Sequence, residues 1–405
     1  LWLPGAGGNS FLSDDIGHLL LWGTPPFAQI WKWFYTQDFN YYRPLTALLW
    51  KLEYALWGLE VVGYQLVNFV LHTGCALLVR HLALQVFPGV ERIGLVAALI
   101  FLFQPGHIFG ILMISALTGL LCTLFYLATV VAYLQGRNGR PMEKFLSLAC
   151  FVLALLTKEL ALSLPLLICA WEAIRLRAES RFNWRSWVVA WLPYGLVAAL
   201  YLLFRHIVFG QMPSSPLHEH VTPLRLLVNL ATYLAKCFAP WGLEDLKPLL
   251  RGQPLLLAAI SAAGLSLGAG ILWHWRRTLV SGHLFGLIFF TVSVLPVITL
   301  YSPWNTYLPS AGIALMLGTA LSWSRGGFRR GALIVFLTLS VSYSLDHQRN
   351  WRRGRDLCGE VADAVARLEA TGPIYLANLP AEWNEMPLFV SDWALKSTPP
   401  AVDGL

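Results

Sequence analysis

Long runs of apolar residues separated by short polar connections dominate the chain after residue 60. The runs cover roughly 60–86, 93–112, 113–135, 145–157, 160–174, 187–209, 254–275, 283–300, 308–323 and 331–345, and a more amphipathic run covers 224–240. A membrane-spanning helix needs about 20 consecutive apolar residues. The pattern therefore predicts an all-α polytopic membrane protein of about ten to eleven transmembrane helices. Short runs such as 145–157 can span only if they extend into their flanks.

The two ends of the chain depart from this pattern. Residues 1–53 combine acids, paired prolines and an aromatic-rich stretch, which is typical of a structured loop with short interfacial helices. Residues 54–346 form the predicted multispanning domain, and residues 347–405 are interpreted as a small exoplasmic α/β appendage. The chain begins with Leu1 and its first apolar stretch is broken by proline and glycine, so we expect a leading helix to precede this numbering.

Composition and charge fix the class of protein and its orientation. Hydrophobic residues make up 57% of the chain and charged residues only 13%, whereas soluble domains carry about 25% charged residues. Lys and Arg outnumber Asp and Glu by 29 to 22, and they gather in alternate connections, as expected of cytoplasmic loops. We therefore expect membrane lipids and no nucleic acid as partners. The loop 1–53, the Gln104–Gly110 turn, Lys158–Glu159 and the tail after Asp346 are predicted to be exoplasmic.

Asp14 and Asp15 are adjacent carboxylates on the predicted first exoplasmic loop. Neighbouring residues on a helix point about 100° apart, so one carboxylate can face a substrate while the other is held in place. Such a group can take a proton from an attacking hydroxyl or hold a divalent ion against a phosphate. The alternative is a helix start, with Ser13 or Asp14 as the N-cap.

Arg43 precedes Pro44 and a helical pattern that runs to Gly58. Its guanidinium can bind a phosphate, and Pro44 suits the first turn of the next helix. The alternative is an interfacial arginine within an aromatic belt. His218-Glu219-His220 resembles part of a metal-binding site, but this segment alone supplies too few ligands, so a role without metal is favoured. No dedicated metal site is found, the cofactor is unknown, and a divalent ion is left open.

Several motifs occur in an order that resembles multispanning GT-C class glycosyltransferases, most nearly the protein O-mannosyltransferase-like branch and its bacterial relatives. After Asp14–Asp15 the motifs are Tyr42-Arg-Pro-Leu-Thr46, Tyr54-Ala-Leu-Trp-Gly-Leu59, Gly63-Tyr-Gln-Leu-Val-Asn68, Leu71-His72, Leu155-Leu-Thr-Lys-Glu159 and Tyr307-Leu-Pro-Ser-Ala-Gly312. The resemblance implies an inverting transferase that moves a sugar from a polyprenyl-phosphate-linked donor to an acceptor at the exoplasmic face, which is periplasmic if the membrane is a bacterial inner membrane.

The resemblance also implies roles for individual residues. Asp14 resembles the catalytic acid of the first loop, which acts as the general base or orients the acceptor, and Asp15 is its partner. Arg43 and Lys158 are candidates for binding the donor phosphate, and Glu159 for holding Lys158. Tyr42 and His107 are supporting residues. His72 is deeper in its span, where a buried packing role is the blander interpretation.

Departures from the family pattern support a competing function. Relatives carry a His-Pro-x-His-x-Glu run followed by an arginine, whereas this chain reads Gln104-Pro-Gly-His-Ile-Phe-Gly110 and lacks that arginine. The second hypothesis is therefore a non-catalytic accessory subunit that kept the fold, in complex with protein partners. A transporter is disfavoured, because acids are nearly missing from the span interiors.

Overall fold

The computed structural model describes residues 14–35, 42–137, 139–178, 183–209, 222–238, 281–299, 301–367, 382–383 and 386–387. The helices are α1 (Asp14–His18), α2 (Pro44–Trp57), α3 (Val61–Val86), α4 (Glu91–Leu102), α5 (Ile108–Leu112), α6 (Leu117–Gly136), α7 (Pro141–Leu155), α8 (Leu164–Ala178), α9 (Trp184–Phe209), α10 (Pro223–Phe238), α11 (Ser281–Val294), α12 (Tyr307–Trp323) and α13 (Gly326–Ala366). Two-residue strands β1 (Glu382–Trp383) and β2 (Met386–Pro387) pair antiparallel.

The predicted all-α class is confirmed, and the apolar runs coincide closely with the helices. Pro44 is the first residue of α2, as predicted. The run 254–275 lies outside the described residues, as does most of the predicted appendage. The part of that appendage that is described begins inside α13, which continues without a break across position 347.

The described residues contain fewer spanning helices than the ten to eleven predicted. Four helices are long and apolar enough to cross a membrane: Val61–Val86, Ile114–Gly136, Trp184–Phe209 and Gly326–Cys358. A fifth is possible if α4 and Pro105–Leu112, which are bent by 52°, form one span. The other apolar runs fold into helices of 14 to 17 residues. These are about 21–26 Å long, shorter than a hydrocarbon core of about 30 Å. The protein is nevertheless an integral membrane protein.

Short turns join neighbouring antiparallel helices. The turns at the two ends of the bundle differ in their charged residues. One end carries basic residues at the boundaries of the helices, including Arg92, Arg137, Arg140, Arg175, Arg325 and Arg329. At the other end the turns around residues 103–116, 156–163 and 295–306 meet. Lys158 Nζ donates to Asn305 Oδ1 over 2.9 Å, and Gln104 Nε2 donates to the Cys237 carbonyl over 2.8 Å. We call this second end the site end.

Glycines allow α11 and α12 to approach each other closely. A Cβ atom added to Gly312 of α12 would meet the Gly286 carbonyl oxygen of α11 and lie 2.7 Å from the Phe290 nitrogen. Only glycine permits this approach of the two backbones, as is common between membrane helices. The large buried side chains of the main core include Phe101, Tyr126, Phe151 and Phe289. The turn that precedes α12 is thereby held at the site end.

Candidate functional site

Glu159 is the centre of an ion cluster at the site end. Its Oε2 lies 3.5 Å from Arg43 Nη2, and its Oε1 lies 2.9 Å from Arg205 Nη1. Arg205 also donates to the Tyr201 hydroxyl over 3.3 Å. One carboxylate is therefore shared by two arginines from distant parts of the chain.

The local backbone explains why Arg43 and Glu159 meet. Arg43 immediately precedes α2, and the Leu45 amide of the first turn donates to the Leu156 carbonyl over 3.2 Å. The Thr46 hydroxyl lies 3.5 Å from the Thr157 carbonyl oxygen. Since α7 ends at Leu155, these bonds join the start of α2 to the turn that carries Lys158 and Glu159. The predicted proximity of Arg43 to the Lys158–Glu159 pair is present.

Lys158 lies beside this cluster without an acidic hydrogen-bond partner of its own. Its ammonium donates to the amide oxygen of Asn305, which is neutral. Burial and, to a smaller extent, the positive charge of Arg43 lower the pKa of Lys158 to about 8, although the negative charge of Glu159 acts in the opposite direction. At pH 7 the side chain is still mainly protonated.

The acid of the cluster is ionised. Burial by itself would raise the pKa of Glu159, but Arg43 and Arg205 more than offset this effect and hold it below its ordinary value. Three cations and one carboxylate leave the described side chains of the cluster with a charge of about +2 at neutral pH. Such a site is suited to bind an anion.

The pH dependence of anion binding follows from Lys158. We expect the affinity for a phosphate monoester to fall about tenfold between pH 7 and pH 9, because the ammonium is lost as the pH rises through about 8, while the probe remains a dianion. Calorimetric titration of the purified protein with farnesyl phosphate at both pH values measures this change. Lys158→Arg keeps its charge over this range and should flatten the dependence. An equally steep fall in that variant would contradict the assignment.

Tyr42 packs in a cluster of aromatic side chains beside the cations. Its ring centroid lies 6.1 Å from that of Tyr201, 5.7 Å from Phe204 and 5.3 Å from Phe209, and its hydroxyl donates to the Phe34 carbonyl over 3.1 Å. Burial raises the pKa of Tyr42, and the nearby charge of Arg205 partly offsets that rise. The supporting role of Tyr42 stays a prediction.

The two aspartates are placed by α1. The side chain of Asp14 lies outside the described residues, although its backbone is the first residue of α1. Asp15 is buried, and its Oδ1 accepts a bond of 2.7 Å from the Ser115 amide. Ser115 lies seven residues before Cys122 on one continuous helix, a separation of about 10 Å along the helix axis. The Cys122 thiol in turn lies 3.8 Å from the Lys158 carbonyl oxygen. Asp15 is thus at the site end, where it ties α1 to the start of α6.

His107 belongs to a buried network on the other side of the 303–306 turn. Its Nε2 lies 2.8 Å from Ser310 Oγ, and its ring lies 4.3 Å from that of Tyr307. His72 bonds to the Tyr307 hydroxyl over 2.6 Å and to the Leu102 carbonyl over 3.0 Å. This fully buried environment agrees with a packing role for His72. The contact with Ser310 gives His107 a role in fixing α12.

Sequence analysis missed Arg205 and Asn305. Arg205 carries its own signal, because an arginine within an apolar run is costly in a membrane and usually has a specific partner. Asn305 offers no such signal, since its role depends on the fold of the turn before α12.

Metal-binding groups of side chains are missing from the part of the chain that the structure describes. In the ranges that the structure describes, no group of three or more His, Cys, Asp and Glu side chains is arranged to hold an ion. The segment His218-Glu219-His220 lies outside the described residues.

Known proteins with sequence similarity are protein O-mannosyl-transferases. Human TMTC4 is 30% identical over 139 residues, which cover 29% of this chain and 19% of that protein. Tmtc3 of Drosophila melanogaster is 27% identical over 191 residues, which cover 40% of this chain and 19% of that protein. A relative from Caenorhabditis elegans is 28% identical over 180 residues, with coverages of 40% and 25%. No protein-family profile and no solved structure matches.

These similarities support the resemblance to membrane glycosyltransferases in part. The chain spans about a fifth to a quarter of the length of the curated relatives it matches. The three relatives are animal proteins, so the bacterial branch stays a prediction.

Proposed function

We propose that this protein is a membrane glycosyltransferase that moves a sugar from a polyprenyl-phosphate-linked donor to an acceptor at the exoplasmic face. The observation that carries the proposal is the cationic cluster of Arg43, Lys158 and Arg205 around Glu159, in a chain similar to protein O-mannosyl-transferases. The forked donors of a guanidinium suit the oxygens of phosphate esters. The site end is exoplasmic in this proposal, because the opposite end holds the basic turns.

The proposed roles follow the geometry where side chains are described. Arg43 and Lys158 bind the donor phosphate, and Glu159 holds these cations in register. Asp14 is the general base or orients the acceptor hydroxyl, and Asp15 fixes α1 through its bond to the Ser115 amide. Tyr42 flanks the phosphate site on its apolar side, and His107 stabilises the start of α12.

The test is transfer from polyprenyl-phosphate-linked sugars by the purified chain in lipid nanodiscs, with Arg43→Gln as the variant. A hydrogen bond to a charged group contributes about 1.5–3 kcal/mol, so the variant should lose about 10- to 100-fold in kcat/KM. Arg92→Gln, an exposed arginine at the opposite end, is the matched control and should retain activity. Full activity of Arg43→Gln would contradict the assigned role.

The accessory-subunit alternative is favoured by the 104–113 segment. Gln104 uses its amide on the carbonyls of Lys236 and Cys237. Ile108, Phe109, Ile111 and Leu112 pack with Trp351 in a small apolar core. The family pattern has an acid at the position of Phe109 or Gly110. Absence of turnover with any donor, together with co-purification of a stoichiometric partner, would establish this alternative in place of the transferase.

A further inference from the structure

Arg205 is an arginine in an otherwise apolar helix. It is the only Lys or Arg between residues 186 and 209 of α9, and it is 1% exposed. Placing such a charge in a spanning helix is costly unless a partner compensates for it. The only acid in its described contacts is Glu159, which it shares with Arg43.

The guanidinium of Arg205 is not fully used in this arrangement. Nη1 donates to Glu159 and to Tyr201, but the Nε atom is buried and has no hydrogen-bond partner among the described residues. Buried polar groups in native structures nearly always have partners. A buried donor without one, next to an excess of positive charge, indicates that an anionic acceptor completes the site.

The charge of the site identifies which anion fits best. A polyprenyl phosphate sugar is a phosphodiester with one negative charge, whereas polyprenyl phosphate is a monoester that carries nearly two above its second pKa of about 6. The charge of about +2 on the described side chains therefore matches the monoester better than the diester.

We propose that Arg205 is a third phosphate-binding cation and that the site binds a lipid phosphate monoester more tightly than the corresponding diester. This inference rests on the proposed function and refines it, because it assigns the site's preference to the leaving group instead of the donor.

The proposed reaction shows why such a preference accelerates transfer. The acceptor hydroxyl gives its proton to a base and its oxygen forms a bond to the anomeric carbon from the face opposite the phosphate. The bond from the anomeric carbon to the phosphate oxygen breaks, and its electron pair remains on that oxygen. The phosphate thus changes from a monoanion to a dianion as the bond breaks. Cations that bind the dianion more tightly stabilise the transition state more than the bound donor.

The experiment compares two probes with the same farnesyl chain, one a phosphate monoester and the other its methyl diester with one negative charge less. Farnesyl phosphate and its methyl ester are titrated calorimetrically into the full chain in nanodiscs at pH 7.5, without an acceptor. We expect the wild type to bind farnesyl phosphate at least about tenfold more tightly. Arg205→Gln should reduce that affinity by about 10- to 100-fold and reduce methyl farnesyl phosphate binding much less, whereas Arg205→Lys should recover part of the preference.

Several results would overturn the inference. Equal affinities for the two probes in the wild type, or no binding of either, would do so directly. An equal loss for both probes in Arg205→Gln would assign a merely structural role to the arginine. Tyr201→Phe, which removes one hydrogen bond and leaves the charge, should retain the preference, and its loss there would also contradict the proposal. If Arg205→Gln does not fold, Arg205→Lys and Tyr201→Phe decide the matter.

These measurements separate the inference from the proposed function. A monoester preference without sugar transfer would leave the inference standing and refute the transferase. Sugar transfer without a monoester preference would refute the inference and leave the transferase standing.

Discussion

Glu159→Gln is expected to lower the free energy of unfolding by about 3 kcal/mol. Breaking a buried ion pair by removing one partner typically costs about 3–5 kcal/mol, because it leaves an uncompensated charge. The lower end of this range applies to the Arg205–Glu159 pair, because the Glu159 side chain is 21% exposed. The loss is still large, because its partner Arg205 is almost fully buried. Chemical unfolding of the detergent-solubilised protein measures the change.

Two controls make this result specific. Glu143→Gln removes the acid of the exposed Arg140–Glu143 pair and should change stability by less than about 0.5 kcal/mol. The double variant Glu159→Gln with Arg205→Gln should lose less than the sum of its single changes, since the orphaned arginine is gone. Strict additivity would mean that the 2.9 Å contact contributes nothing to stability.

The free energy of unfolding of the wild type should also fall at low pH, when Glu159 becomes protonated. Its arginine neighbours hold the pKa of Glu159 below the ordinary value of 4.5, so the unfolded chain takes up the proton first. The stabilisation is therefore complete above pH 4.5 and is lost as the pH falls through the lowered pKa.

Asp14→Asn is expected to reduce sugar transfer by 10²- to 10⁴-fold, since this is what removal of a general base usually costs. The protein should remain folded in the membrane. Asp15→Asn is the matched control: asparagine keeps an oxygen that can accept the bond from the Ser115 amide, so this variant should retain most activity. Turnover measured with polyprenyl-phosphate-linked sugars distinguishes the two. If transfer survives Asp14→Asn as well as Asp15→Asn, Asp14 is not the general base, even if the protein is a transferase.

The apolar pattern predicted where the helices are, because it is a local property of the chain. The run 187–209 became α9, and Pro44 begins α2 because its fixed backbone suits a first helical turn. The described residues contain fewer spans than predicted for an equally physical reason. Counting apolar runs does not reveal that α7 and α11 end after 15 and 14 residues, where turns at the site end interrupt the helices.

The candidate site was only partly predictable. Motif order indicated that Arg43 and the Lys158–Glu159 pair belong together, but not that Glu159 would bind Arg205, which lies 46 positions further along the chain. That contact depends on how α8 and α9 pack. Nor does any local pattern indicate that Asp15 would bond to the Ser115 amide, 100 positions away.

The outer face of α9 has a consequence for the kinetics of any lipid-linked ligand. Leu203 is 52% exposed and Ile207 is 71% exposed, and both lie within one helical turn of Arg205. These side chains lie on the face of α9 opposite to that of Arg205. A ligand with a long apolar tail can keep that tail among the acyl chains along this face. Its effective concentration is then its mole fraction among the lipids, not its amount per volume of solution. Diluting such a protein with inert phospholipid should slow its encounter with the ligand even when the total amounts are unchanged.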